Sequence, residues 1–440
     1  MKQRKSKRML AILLPLLALS LSSCDIFDLL GRGSASSTPT SSSQPASSSS
    51  AVSSSSSHSE QPIVSSSEFS ATTTATDSSI IESYDEIEFH FLQVGNGYTG
   101  DCIYVKAGDN DILIDAGSRK GSSKTIKSYL DQYVEDGKLE YVVATHAHQD
   151  HIAGFVGSSN SKYEGGRDGI LYTYEVGNII DFAYYDDRGD KATYSNADPL
   201  PADADVTAIY EDYREARDFA IEHGATWRTV GEIWENDEEE WKSIDLGDGI
   251  RMDILYNYFY DHTSADVKDL GSYSFSDQND CSVCLLFSQG ERHFLFTGDA
   301  EEAAEHSLVE YNDIPECELF KAGHHGSYTA SGEELLSRVK PKIVCVCCCA
   351  GNTEYASDPA HTFPAQEAID RIAKYTDQVY VTTLGSMDKV SYNEPMNGNI
   401  IVKSKRPDEE AEINCSASSL PLKDQPWFKE NRTCPASWQA

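Results

Sequence analysis

Three histidines and an aspartate fall within six residues in the run ATHAHQDHIAG: His146, His148, Asp150 and His151. Residues two apart in an extended segment project to the same side, so the rings of His146 and His148 point together. Asp150 and His151 sit where the chain turns into the next element. Imidazole and carboxylate donors at this density are a ligand set for a first-row divalent ion. Without an ion, crowding three imidazoles costs desolvation and repulsion. A strand that ends in a polar residue close to a glycine recurs elsewhere. Asp299 follows the apolar HFLFTG, Asp115 ends ILI before Ala116 and Gly117, and His324 and His325 stand between glycines in KAGHHGS. Those glycines let the backbone fold tightly around a site.

The elements that must hold these residues alternate along the chain. Strands are expected over 87–94, 101–106, 111–114 and 139–144, the second and third joined by the hairpin turn AGDN. The 139–144 strand delivers the chain into the histidine cluster. Ile126, Leu130 and Val134 share one face of a helix over 124–135. A strand and turn over 170–182, an amphipathic helix over 205–222 and an acidic surface turn over 236–240 follow. The second round has strands over 250–258, 281–288, 293–297, 342–349 and 378–382, with helices over 301–310, 333–339 and 364–374. Two rounds of alternating strands and helices fit a layered α/β body with mixed sheets. Period-two alternation in KIVCVCCCAG makes Cys345, Cys347, Cys348 and Cys349 small buried hydrophobes in a strand rather than a soft-metal site, since CVCCC lacks separated ligand pairs.

The flanks differ in kind. Lys2, Arg4, Lys5, Lys7 and Arg8 precede an apolar run over 9–19 that is too short to span a bilayer, and LSSC follows at 21–24. This reads as an export signal over 1–23 ending in a lipobox-like motif, with Cys24 carrying lipid and fixing the protein to the outer side of a bacterial cytoplasmic membrane. The Ser-rich stretch over 24–80 has too few large apolar residues to fold and reads as a tether. A folded domain is expected over 84–403 and a polar tail over 404–440, which a disulfide between Cys415 and Cys434 would staple. Acidic residues number 71 against 36 basic ones, a formal net charge of -35. No basic run offers a face for gripping a nucleic-acid backbone by counterion release, although bound cations can neutralise phosphates locally.

Taken together, FLQVGNG, DCIYV, ILIDAG, THAHQDHIAG, NDCSVCLLFSQGERHFLFTGDAE, LFKAGHHGSYTAS and KPKIV resemble the metallo-β-lactamase fold, in particular the hydrolase domain of bacterial competence proteins of the ComEC/Rec2 type, over roughly residues 86–402. The resemblance implies a four-layer αββα sandwich with a metal site at one edge of two sheets. It implies one or two divalent ions, zinc by default and manganese as the alternative. His146 and His148 would bind the first ion, and Asp150, His151 and His324 the second, with Asp299 near both. Asp115, His325 and Ser327 would support these ligands. Asp150 would orient the attacking water. His361, in DPAHTFP, would steady an oxyanion or donate a proton, unless it is a plain loop histidine. Where many superfamily members place a further histidine, this chain has Asn279-Asp280-Cys281-Ser282. Asp280 is therefore an alternative ligand, with His262 and His223 as more remote donors. The implied activity is a phosphodiesterase or deoxyribonuclease. Hydrolysis of a small phosphoester, lactone or amide is the first alternative, and a non-catalytic surface binding protein the second.

Overall fold

The computed structural model describes residues 85–182, 184–186, 193–195, 207–260, 278–385 and 393–439. The signal, Cys24, the tether and His262 lie outside the described residues. The strands in chain order are β1 (Ile87–Phe91), β2 (Ile103–Ala107), β3 (Asn110–Ile114), β4 (Lys138–Val143), β5 (Glu175–Asp181), β6 (Tyr184–Asp186), β7 (Thr193–Ser195), β8 (Thr226–Thr229) and β9 (Ser243–Gly247). They continue with β10 (Ile250–Ile254), β11 (Leu285–Gln289), β12 (Arg292–Phe296), β13 (Leu319–Lys321), β14 (Ile343–Ala350), β15 (Val379–Leu384), β16 (Glu394–Pro395), β17 (Ile400–Ser404) and β18 (Glu412–Cys415).

Two eight-stranded mixed sheets result, ordered β18-β17-β1-β2-β3-β4-β5-β8 and β16-β15-β14-β13-β12-β11-β10-β9. Helices flank them, which is the expected αββα sandwich. Each sheet begins with antiparallel hairpins and then turns parallel, β3 beside β4 and β5 in the first, β12 beside β13 and β14 in the second. Parallel strands covered on both faces read as unbroken apolar runs. That is why every residue of β14, including its four cysteines, is buried. The sheets meet through phenylalanines: Phe89 of β1 lies 5.4 Å from Phe287 of β11, 4.7 Å from Phe294 and 5.2 Å from Phe296 of β12, between ring centroids.

Several expected elements are shorter or longer than the sequence pattern suggests. The 281–288 run starts pairing only at Leu285, because 278–281 form a 3-10 turn beside the site. The acidic 236–240 segment runs into a helical turn, Glu239–Lys242. The 404–440 tail is part of the body. β18 extends the first sheet, and Leu422, Phe428 and Trp438 are buried in the second apolar cluster. Cys415 and Cys434 are both free, which corrects the expected staple. Cys415 packs on the first cluster and Cys434 on the second, and apolar anchors do the work assigned to the bridge.

The cluster helix Gln149–Val156 sits against the loop after β3. Its Gly154 amide donates to Ala116 O at 2.8 Å, and a Cβ on Gly154 would lie 2.1 Å from that same oxygen. Helix propensity alone favours alanine over glycine by about 1 kcal/mol. Here the contact decides the sign. Gly154→Ala is expected to destabilise the fold by about 1–3 kcal/mol, an overpacking cost, read as a lowered denaturation midpoint. An unchanged or raised midpoint would show that the loop yields freely.

Candidate active site

Because β3, β4, β12, β13 and β14 all run parallel to a neighbour, the loops after them emerge at the carboxyl ends of their strands, where open α/β sheets collect polar residues. From the first sheet, Asp115 follows β3 with a positive φ of 58°. Its carboxylate accepts the Thr145 amide and hydroxyl, each at 2.8 Å, tying the end of β3 to the end of β4. His148 is the N-cap of Gln149–Val156 and Asp150 lies in its first turn, where the helix dipole favours an anion. Asp101, just before β2, joins this frame through backbone: its amide donates to Asp150 O and its carbonyl accepts the Gly117 amide.

From the second sheet come Asp299 after β12 and the segment Gly323–Gly326 after β13. The Ser282 hydroxyl accepts the Asp299 amide at 3.0 Å. His324 and His325 both have left-handed backbone, φ 43° and 55°. Such strain in non-glycine residues persists only where surroundings enforce it, and it gathers at functional sites. Glu305 fixes the loop that follows, accepting the amides of Ser331 at 2.6 Å and Gly332 at 2.7 Å.

The two halves meet on one oxygen. His151 Nε2 lies 3.0 Å from Asp299 Oδ2, His325 Nε2 3.1 Å and His324 Nε2 3.9 Å. Each ring is held from behind: Asp115 lies on His151 Nδ1 at 2.7 Å and Glu301 on His324 Nδ1 at 2.9 Å, while His325 Nδ1 bonds the Cys347 carbonyl at 2.9 Å with the Asp101 carboxylate 3.0 Å away as its countercharge. A carboxylate on Nδ1 that leaves Nε2 facing a common point is how proteins orient imidazoles toward a metal. Asp101, His151, Asp299 and His325 offer donor atoms all within 4.8 Å of one another, and all four are buried. Asp150 Oδ2 adds itself 3.3 Å from His325 Nε2, and His146 Nε2 lies 3.1 Å from His148 Nδ1. This donor set fits a divalent ion of the zinc or manganese kind.

The electrostatics agree. Burial opposes the charge on Asp299, yet His151, His325 and Lys321 outweigh it and hold its carboxyl well below the usual range. Burial alone would depress His151 and His325; instead the surrounding carboxylates raise both. His146 moves the other way, lowered by burial and by His151 and His148, which leaves it neutral and able to ligate. The Lys321 ammonium pairs with Asp101, donates to Gly298 O at 2.8 Å and lies 3.4 Å from Asp299 Oδ1. It is a built-in countercharge beneath the donors.

A cavity of about 480 Å³ opens above this floor, reaching His148, Asp150, Asp299 and His324. Its upper wall is the loop after β14, from which the Tyr355 hydroxyl donates to Asp150 Oδ2 at 2.7 Å. Phe363 packs its ring 5.7 Å from both His324 and His325. His361 lines the mouth and stacks on Tyr328 at 4.4 Å. Two arginines fix these loops. Arg371 donates to the carbonyls of Tyr328, Ala330 and Ser331, and Arg432, from the C-terminal segment, to those of Pro359, Thr362 and Pro364.

The structure brings His146, His148, Asp150, His151, Asp299 and His324 to one place, and it redistributes roles around them. His325, expected only as support, is in the tight donor cluster, because consecutive left-handed residues swing both histidine rings toward Asp299. Asp280 is turned away from the ligand role weighed for it. Its Oδ1 accepts the Glu301 amide at 3.2 Å and the Ala304 amide at 3.4 Å, capping the helix Glu302–Tyr311. His223 ends its own helix, bonded to Phe219 O and facing Glu164. Ser327 lines the cavity and bonds Thr329, which reaches Glu301 at 2.9 Å. Asp101, Glu301, Lys321, Glu305 and Tyr355 escaped the sequence reading. Lys321 had a signal, a lone charge inside the apolar strand LFK.

The family model described as Metallo-beta-lactamase superfamily matches residues 95–160 and 213–350, which carry all the donors above. With that match the sheets and the donor cluster acquire one reading: the chain has the metallo-β-lactamase fold and is a metal-dependent hydrolase. Among curated relatives it is 27% identical over 114 residues to Recombination protein 2 of Haemophilus influenzae, a match covering 26% of this chain and 13% of that protein. It is 28% identical over 87 residues to ComE operon protein 3 of Bacillus subtilis, covering 18% of this chain and 11% of that protein. The match thus spans a small part of either relative. A solved structure, the metallo-beta-lactamase fold protein YhfI from Bacillus subtilis, is similar at 11% identity with a TM-score of 0.37, covering 73% of this chain and all of that one.

Two outcomes are expected. Asp115→Asn leaves His151 without its anchor and should weaken divalent-ion affinity about 10- to 100-fold, measured by chelator competition; unaltered affinity would remove Asp115 from that role. Burial raises the Glu305 carboxyl to about 7, only partly offset by the amides of Gly332 and Ser331. A raised carboxyl pKa means the folded state binds the extra proton. Its contribution to stability is full below pH 4.5 and is lost as pH rises through 7. Glu305→Gln should flatten the fall of the melting temperature across that window, and an identical slope in both proteins would contradict the assignment.

Proposed function

We propose that this chain is an extracytoplasmic phosphodiesterase, with single-stranded or fragmented DNA the most concrete substrate. The observation that carries the hydrolytic part is the convergence of three imidazoles on Asp299 Oδ2, with a carboxylate or a backbone carbonyl holding each Nδ1. Asp299, His151, His325 and Asp150 would hold one divalent ion, and His146 and His148 a second, zinc by default or manganese. A bound ion of this kind lowers the pKa of water toward neutrality and stabilises charge developing on phosphoryl oxygens. Asp150 faces the cavity with one oxygen engaged by Tyr355, which fixes the carboxylate for orienting a water. His361 stands at the mouth, where a leaving oxygen would pick up a proton. Asp101 and Lys321 keep the floor rigid and close to charge balance.

The phosphodiester part is supported by the likeness to Recombination protein 2, whose name belongs to DNA metabolism. The leader and the LSSC motif support a lipid-anchored position on the outer face of a membrane.

The test is a panel of DNA, RNA and bis(p-nitrophenyl) phosphate with Zn²⁺- or Mn²⁺-loaded protein. Cleavage is expected, and His148→Ala should abolish it. Activity that persists in His148→Ala would trace to another site or a contaminant, and esters hydrolysed without any diester would point to lactone or amide chemistry.

A further inference from the structure

The wall of the cavity is aromatic where a polymer-binding cleft would be basic. Tyr328 stacks on His361 with ring planes 26° apart at 4.4 Å, and Tyr355 on Phe363 with planes 25° apart at 5.6 Å. All four line the same 480 Å³ cavity. Tyr328 and Tyr355 are nonetheless 46% and 48% exposed, so each keeps ring surface available. Among the described residues the lining includes no lysine and no arginine; the polar lining is histidine, carboxylate, amide and hydroxyl.

These rings are held in place. The Arg371 guanidinium donates to Tyr328 O at 2.9 Å, Ala330 O at 2.7 Å and Ser331 O at 2.9 Å. Arg432 donates to Pro364 O at 3.0 Å, Thr362 O at 2.6 Å and Pro359 O at 3.1 Å, bracketing His361 and Phe363. A ring whose backbone is pinned loses little entropy when it stacks on a ligand. Both arginines are spent on the walls, which leaves the phosphate to the donor cluster.

Within the phosphodiester reading, on which this inference rests, the geometry points to a nucleotide-sized substrate recognised by stacking of a base on the Tyr328–His361 pair, with Tyr355 and Phe363 as the second ring wall. A cleft of this volume lies in the range of roughly 300–1,000 Å³ that encloses a small ligand. Of the single-stranded and fragmented DNA named above, the cleft selects the fragments: tracking the backbone of a long strand takes a row of cations, and the protein carries a formal net charge of -35. Base stacking is sequence-tolerant, since every base presents a π face.

The experiment uses the full chain loaded with Zn²⁺ or Mn²⁺. Substrates are the dinucleotide of thymidine, the same dinucleotide with one base replaced by hydrogen, and a long single strand; binding of thymidine 5′-monophosphate is followed by calorimetry. The base-bearing dinucleotide should be turned over about tenfold or more efficiently than its abasic analogue. Tyr328→Ala should raise KM for the base-bearing dinucleotide and Kd for the monophosphate about 5- to 100-fold, while Tyr328→Phe, which keeps the ring, restores both. Equal turnover of the two dinucleotides, a Kd indifferent to Tyr328→Ala, or a large preference per bond for the long strand would overturn the inference. If the wild type cleaves no diester at all, the phosphodiester reading itself fails, a result the binding and variant data do not mimic.

Discussion

Asp299 is the point on which the two halves of the molecule depend. Its carboxylate is almost fully buried, and a buried charge is tolerated only when paired and hydrogen-bonded. The partners come from both sheets: His151 from the first, His324, His325 and Lys321 from the second. Sheet packing through Phe89 and its neighbours sets how far apart these groups stand. The site is therefore a property of the interface between sheets, and the loops that form it have little latitude of their own.

Around that oxygen the structure alternates charge by layers. Imidazoles surround Asp299, and behind them stand Asp115, Asp101 and Glu301, with Lys321 below. Each layer fixes the one inside it. Removing an outer carboxylate would free a ring to rotate and would also strand a raised imidazole in a dry interior, so the outer acids matter to geometry and to charge alike.

How much of this was legible beforehand varied with distance along the chain. His146, His148, Asp150 and His151 lie within six residues, and local spacing alone singles them out. Asp115 and Asp299 could be read from strand endings. Asp101 could not, because its importance arises only when His325 and Lys321, more than two hundred residues later, fold onto it. Asp280 misled for the converse reason: an acid beside a motif can serve the backbone, and here it caps a helix. The layered α/β body was legible from alternating strands and helices and its αββα form from the family resemblance, whereas β13 was not legible, since three residues carry too little periodicity. The C-terminal segment looked polar because its few anchors, Leu422, Phe428 and Trp438, are scattered among charged residues.

That segment separates two kinds of work. Arg432 braces the loop bearing His361 and Phe363, and β1 pairs along its length with β17, Ile87 beside Ser404. The groups that converge on Asp299 all lie at or before His325, whereas the ring-bearing wall above them is held by a residue more than a hundred positions further on. The surface that selects a ligand can therefore vary independently of the surface that holds an ion, and relatives sharing the floor are free to differ in what they admit.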